Sequence, residues 1–351
     1  MEYIVDLAMT DKFTHEQVLK RSHLMRPLTS VEFIPMPYVT ESSRVNLIIP
    51  VTVADMDKAM SFIDQYANTC LETGDSTFLY VVFYYQNSKP PPPPGNTGAA
   101  ADNKNDVFHV LKSIINYYES RFKTGSKVAW VNVESRQTSP FITVDAVSRK
   151  LSKERLCLLG DVGMMFDIDF LNRVRMNTIT NKQVFFPIAY WQYKPNLVHE
   201  KMPYPPENVI TSKTGHFDEN QSIHASFYNS DYMNARQRMR LESDAQASGY
   251  DAGDMDLFDM FLQFSDLSVF RAIEEKLVHR YREHACAPTM KPEALRRCMQ
   301  SRAEGLAGKH ELSMLVLGHR ESVDRNHVDI MHQLEQNDAQ VEQMNPNMLR
   351  K

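Results

Sequence analysis

The chain has 351 residues, 42% of them apolar and 24% charged. That is enough for one large domain or two small ones with a real core, which excludes disorder as the main state. Lysine and arginine number 39 against 44 aspartates and glutamates, a net charge of −5, so no basic excess draws a phosphate backbone to the surface and nucleic acid is excluded as the main partner.

The longest strongly apolar run, Phe78 to Tyr85, has about a third of the length of a membrane-spanning helix. Residues 1–20 lack the apolar core of a signal peptide. The expectation is a soluble chain that either works in the cytosol or is a piece of a longer protein whose targeting segment lies elsewhere. The four cysteines form no CxxC or other metal-binding spacing, so zinc is not suggested. Cys286 and Cys298, twelve apart, leave two readings open: a bridge contributing roughly 3 kcal/mol, or two reduced thiols.

No internal repeat or heptad run is present. The run from Arg44 to Val51 is short, apolar and β-branched and stops near Pro50, the pattern of a buried strand. Residues 54–71 place Met56, Ala59, Met60, Ile63, Tyr66, Ala67 and Cys70 on one helical face. A second apolar strand follows at 78–85. Five prolines (90–94) then run into Gly95 and Gly98, a tract that can neither pair in a sheet nor continue a helix and reads as an exposed loop over 90–104. Asp106 is a candidate cap for a helix turning Val107, Leu111, Ile114, Ile115, Tyr118 and Phe122 inward. Val128–Val133 is a third strand, 144–151 a helical stretch, and Leu156–Gly160 a fourth strand ending at Asp161. Strands alternating with helices predict an α/β fold with a mainly parallel sheet flanked by helices. Ligands of such sheets bind beyond the carboxyl ends of the strands, which points to Asp161.

The second half is less regular. Gln183–Ile188 reads as a strand, Lys194–Lys213 as a long polar loop, 254–262 as a helix, Leu267–Arg271 as a strand and 292–317 as a single helix. From about residue 325 the chain is polar and rich in Gln and Asn, which predicts fraying or disorder. The domain boundaries implied are a lead-in over 1–44, the main domain over 45–320 and a polar tail over 321–351.

Three stretches carry a family likeness: Val31–Glu41 (VEFIPMPYVTE), Arg175–Thr178 (RMNT) with Phe185-Phe186-Pro187, and Ala225–Tyr232 (ASFYNSDY). In this order they resemble the carboxyl half of the chondroitin synthase family, most of all its chondroitin polymerizing factor branch (chondroitin sulfate synthase 2), from about Glu2 to His319. The resemblance implies a GT-A-like fold. It further implies that the chain corresponds to the second of two glycosyltransferase-like domains of a type II Golgi membrane protein, working in the Golgi lumen, with the anchor before Met1.

The same resemblance sets out a site. An inverting β1,4-N-acetylgalactosaminyltransferase using UDP-GalNAc must neutralise a departing diphosphate, in this family with Mn²⁺ on a DxD motif, while a carboxylate takes the acceptor's proton. The matching positions here are Asp161-Val162-Gly163. The first Asp, which faces the nucleotide in similar enzymes, is kept; the metal-binding second has become Gly163. Asp167 and Asp169, six residues on from those positions, fit a helix N-cap and a first-turn charge better than a rescued motif. In the run Tyr250–Phe258, Asp254 stands at the general-base position, Tyr250 replaces a sugar-stacking Trp, Gly253 replaces an acceptor-binding Glu, and Asp256 is a further candidate for donor or acceptor contact. Without the resemblance, Asp254 and Asp256 are acidic residues at a helix start. His279 is the candidate metal ligand. Arg280 and Arg282 stand where the family has a further histidine, and three readings are open for them: contact with a diphosphate, contact with the uronates of chondroitin, or solvation.

The resemblance also favours a Cys286–Cys298 disulfide, permitted in the Golgi lumen, and makes Asn220-Gln221-Ser222 a usable glycosylation sequon. The functions it implies are a polymerizing-factor-like protein assisting a partner chondroitin synthase in a hetero-oligomer, or an active hexosyltransferase with Asp254 as base. A third is a module that only grips the polysaccharide.

Overall fold

The computed structural model describes residues 2–10, 17–25, 43–86, 106–122, 127–199, 210–245, 255–283 and 292–318, with Cys286, Pro288 and Met290. The chain divides into two compact units, residues 1–38 and 39–351. The proline tract, the tail, and Tyr250 and Asp254 lie outside the described residues. In the first unit β1 (Glu2–Thr10) and β2 (Gln17–Met25) form an antiparallel hairpin, paired from Glu2 opposite Met25 to Thr10 opposite Gln17.

In the second unit, β3 (Val45–Val51) is buried on both faces, as a continuous apolar run requires. The helical face read from 54–71 becomes a 3₁₀ turn, α1 (Met56–Tyr66) and a π turn at Ala67–Leu71. It buries Ala59, Ile63, Tyr66, Ala67 and Cys70, with Phe62 and Leu71 added. After β4 (Thr77–Tyr85) comes α2 (His109–Arg121), where the structure corrects the sequence reading. The N-cap position is Phe108, and the Asp106 carboxylate is bound by the Phe108 N–H (3.1 Å), the Tyr85 hydroxyl (2.7 Å) and the buried Lys112 ammonium (2.7 Å). The helix starts later than read, and Val107 faces solvent.

β5 (Lys127–Glu134) follows as read. The next helix, α3 (Pro140–Ser148), begins four residues before the stretch assigned from sequence, because Ser139 takes the N-cap position with extended backbone and Pro140 presets the first turn. β6 (Leu156–Leu159) leads to a strand the sequence did not signal, β7 (Met164–Phe166), too short for any periodicity. Asp167 then caps α4 (Ile168–Asn177), its Oδ1 accepting from the Phe170 N–H at 3.1 Å, with Asp169 in the first turn.

β8 (Gln183–Gln192) is longer than its sequence signal. α5 (Pro195–Val198), β9 (Gly215–Phe217), β10 (Ala225–Tyr228), α6 (Asn229–Ala245) and α7 (Leu257–Phe264) follow. The strand read at Leu267–Arg271 continues as β11 (Ser268–His279). The single helix read over 292–317 is two, α8 (Pro292–Glu304) and α9 (Lys309–Gly318), separated by a turn holding Gly305 and Gly308.

Strands β3 to β11 form one sheet in the order β5-β4-β3-β6-β10-β8-β11-β7, with β9 on β8. Strands β3, β4, β5, β6, β8 and β11 run one way; β7, β9 and β10 oppose them. Alternate residues feed the two faces. Leu47, Ile49, Val81 and Phe83 pack with α1, α2 and α4, and Ile48, Val82 and Tyr84 pack with α3, α6 and α7. This is the α/β arrangement the alternation predicted.

The motif residues behind the family likeness are fold staples. Arg175 on α4 is 3% exposed and donates to the Ser43 carbonyl (2.8 Å), Asn172 Oδ1 (2.7 Å), Asp75 Oδ2 (2.8 Å) and the Ser76 carbonyl (3.1 Å), tying α4 to the starts of β3 and β4. Asn229, fully buried at the start of α6, donates to the carbonyls of Ser148 and Leu151 and accepts from the Ser148 hydroxyl at 2.6 Å, locking α6 to the end of α3. Removing the Arg175 guanidinium takes the ion-pair partner from Asp75 and a donor from the Ser43 and Ser76 carbonyls. Arg175→Met should therefore lower unfolding free energy by about 3 kcal/mol in urea titration. Arg175→Lys should recover only part of it, because an ammonium cannot fork to four acceptors; a loss below about 1 kcal/mol would show that these contacts are dispensable.

Candidate functional site

The carboxyl edge of the six co-directional strands is where the chain brings its chemistry together. Asp161 lies two residues past β6, His279 ends β11, and Trp191 is next to last on β8. Because β7 and β10 run the opposite way, the residues just before them, Gly163 and His224, arrive at the same edge.

Asp161 is surrounded by donors. Its Oδ1 accepts from the Gly163 N–H at 2.8 Å and from His279 Nε2 at 3.2 Å, and its Oδ2 accepts from Arg282 Nη1 at 2.7 Å. Burial by itself would push the carboxyl's pKa up. The hydrogen bond and charge of His279, then the Arg282 charge and the Gly163 N–H, outweigh it and hold the group well below the usual carboxylate range.

His279 is fully buried and stacks on Trp191 with centroids 3.8 Å apart. Its Nδ1 donates to the Arg280 carbonyl at 2.7 Å. Both ring nitrogens thus face oxygen atoms.

Gly163 explains why the ring sits there. A Cβ at this position would lie 2.6 Å from His279 Cε1, 2.9 Å from its Nε2 and 3.2 Å from Asp161 Oδ1. The space that a side chain at 163 would need is taken by the imidazole. A divalent cation needs open oxygen or nitrogen lone pairs, yet both Asp161 oxygens are engaged and both His279 nitrogens point at acceptors. Among the described residues, no group of three or more His, Cys, Asp or Glu side chains is placed to hold a metal. Among the described residues, this donor set does not fit Mn²⁺.

A cleft of about 210 Å³ opens beside Asp161, lined also by Pro50, Ser139, Gly160, Ser222, Asp256 and Arg282. Asp256 caps α7, its Oδ1 accepting from the Asp259 N–H at 2.8 Å, while its Oδ2 accepts from the Ser222 hydroxyl. Arg282 is half exposed on the cleft. Arg280 is not beside it: β11 ends at His279, the Arg280 N–H bonds the Gly163 carbonyl at 2.9 Å, and the residue lines a separate groove with Gln65, Asp167 and Lys276. Cys286 and Cys298 form a disulfide, joining the segment after Arg282 to α8.

Sequence reasoning missed Trp191 and His224. His224 is 2% exposed, has no hydrogen-bond partner for either ring nitrogen among the described residues, and lies 5.7 Å from His279 between ring centroids. Burial, reinforced by nearby His279 and opposed by Asp161, pulls its pKa down to about 3. Only the antiparallel entry of β10 brings it here, and nothing in its local sequence announces that.

The chain matches the family described as chondroitin N-acetylgalactosaminyltransferase over residues 1–312. The chain belongs to that family. It is 36% identical to mouse chondroitin sulfate synthase 2 over 319 residues, 90% of this chain and 39% of that protein. It is 32% identical to human chondroitin sulfate glucuronyltransferase over 331 residues, 90% of this chain and 42% of the relative. The chain therefore spans about two fifths of the length of these relatives. Among solved structures, the glycosyltransferase GlyE of Streptococcus pneumoniae TIGR4 aligns with a TM-score of 0.37 at 7% identity, over 74% of this chain and 60% of that one. The galactosyltransferase LgtC in complex with donor and acceptor sugar analogs aligns at 0.32 and 6%, over 74% and 95%. Those values are too low to bear on function. The fold is a mixed and largely parallel sheet flanked by helices. Among the described residues no helix is long and apolar enough to cross a membrane.

Gly163→Ala forces the His279 ring to shift, so it should cost about 1–3 kcal/mol in thermal or urea unfolding; an unchanged midpoint would mean the ring has room to give. His224 sets a pH dependence. With its folded pKa near 3 and its ordinary value at 6.5, the unfolded chain binds more protons between these limits, so stability is greatest above about 6.5 and falls as the pH drops toward 3. Asp161 acts in the same sense at lower pH. Replacing His224 by Phe should flatten the profile between pH 6.5 and 4, and parallel profiles for the two proteins would contradict the assignment.

Proposed function

We propose that this chain is the second transferase-like domain of a chondroitin polymerizing factor-like protein, which supports chondroitin elongation with a partner synthase while its own transfer site is degenerate. The observation that carries this reading is the Asp161 cluster. In a metal-dependent transferase this carboxylate and its DxD partner face a cation and a diphosphate. Here both carboxylate oxygens are engaged by Gly163, His279 and Arg282, and the partner position is a glycine whose space the imidazole fills. Family membership and the likeness to chondroitin sulfate synthase 2 support the choice of polysaccharide. The Golgi lumen as workplace and a hetero-oligomer with a synthase belong to the same proposal, and the Cys286–Cys298 disulfide suits an oxidising compartment.

A second reading rests on Arg282. A half-exposed guanidinium on the cleft, opposite Asp256, is a cation of the kind that meets a diphosphate in metal-independent transfer. In that reading GalNAc from UDP-GalNAc is added β1,4 to a terminal glucuronate, with Asp254 as base.

One assay separates the two. The protein is given UDP-GalNAc, Mn²⁺ and a glucuronate-ended chondroitin acceptor by itself, and the same mixture plus UDP-glucuronate with an active chondroitin synthase. By itself it should transfer at background, and together they should make longer chains than the synthase makes without it. Robust turnover alone that Asp254→Asn abolishes would replace the first reading with the second.

A further inference from the structure

At the opposite end of the sheet from Asp161, α3 and α6 enclose another cleft, of about 330 Å³. The Ser230 N–H bonds the Lys153 carbonyl at 2.9 Å and the Asn229 N–H bonds the Arg155 carbonyl at 2.9 Å. The start of α6 is thereby held beside the amino end of β6, whose carboxyl end leads to Asp161. The cleft draws four cations, Arg149, Lys153, Arg236 and Arg240, around one carboxylate, Asp145. In a chain of net charge −5 this is a local reversal of sign.

The cations are arranged, not scattered. Asp145 Oδ1 accepts from the Tyr232 hydroxyl at 2.6 Å, and its Oδ2 pairs with Arg236 Nη2 at 3.3 Å and Arg240 Nη2 at 3.0 Å. The Arg236 guanidinium also lies 4.5 Å from the centroid of the Phe141 ring, a second restraint on its plane. Asp145 engages Arg236 and Arg240, and the exposed Arg149 and Lys153 bring further positive charge to the same cleft, which favours an anion. Arg149 and Lys153 are exposed on the rim. Asn234 and Gln237 line the same cleft and supply amide donors and acceptors suited to hydroxyl groups.

We propose that this cleft is a second, non-catalytic binding site for a carboxylate-bearing polysaccharide, holding a uronate on its cations and neighbouring sugar hydroxyls on its amides. The proposal rests on the reading that the chain serves an acidic polysaccharide, and deepens it by giving the polymer a grip remote from Asp161. A nucleic acid fits less well, since the one aromatic lining residue, Tyr232, is 1% exposed and offers no face for a base.

The test is calorimetric titration of unsulfated chondroitin decasaccharide into the protein, the double variant Arg149→Gln/Lys153→Gln, and Lys58→Gln, an exposed cation of α1 that lines neither cleft. The double variant should bind about five- to tenfold more weakly, and Lys58→Gln should bind as the unaltered protein does. Lys153→Glu alone should weaken binding in the same direction, which guards against a folding defect in the double variant. No binding by the unaltered protein, unchanged affinity in the double variant, or an equal loss in Lys58→Gln would each overturn the proposal. The elongation assay with a partner synthase would still decide the wider reading by itself. Competition by polyglutamate as strong as that of chondroitin would show that the cleft reads charge alone, and the assignment to a polysaccharide would fall.

Discussion

The electrostatic neutralisation of Asp161 governs the carboxyl edge of this fold. An ionised carboxylate beneath a sheet edge is costly unless donors surround it, and here three arrive from different parts of the chain: a backbone N–H from the start of β7, an imidazole from the end of β11 and a guanidinium three residues later. These contacts fix the junction between β6, β7 and β11. They also set the chemistry of the edge, since both oxygens of the carboxylate are engaged by donors of the chain itself.

The glycine and the histidine form a pair in volume. Gly163 admits the ring, and the ring takes the place where a second carboxylate would project. Trp191 backs the imidazole from the other side, so the ring is held by stacking, by its contact with Asp161 and by the Arg280 carbonyl. A site built this way gains rigidity from the interactions that displace a cation.

The fold was legible where periodicity and burial were strong. The strands at 45–51, 77–85, 127–134 and 156–159 and the helix after Thr52 follow from apolar runs and one-sided patterns. Misreadings came where a local rule met a tertiary competitor. Asp106 has the chemistry of a cap, but Lys112 and Tyr85 claim its carboxylate. The helix expected at 144 begins at Pro140 because Ser139 and Pro140 together start it earlier. One continuous pattern over 292–317 is interrupted between Gly305 and Gly308. Arg280 and Arg282, two apart, read as partners, yet the end of β11 between His279 and Arg280 sends them to different clefts.

The amino-acid sequence by itself determined the class of fold and the family, and it set Asp161 just past the end of a buried strand, because these depend on residue identity and short-range pattern. It also contained the Cys286–Cys298 pairing as a family expectation. Tertiary structure alone decided what fills the vacated space, that Trp191 and His224 share the edge with His279, and that four cations gather between α3 and α6. Each depends on strand order and direction: residues more than a hundred positions apart, such as Asp161 and His279, meet only because β7 and β11 pair antiparallel, and no local signal encodes that pairing.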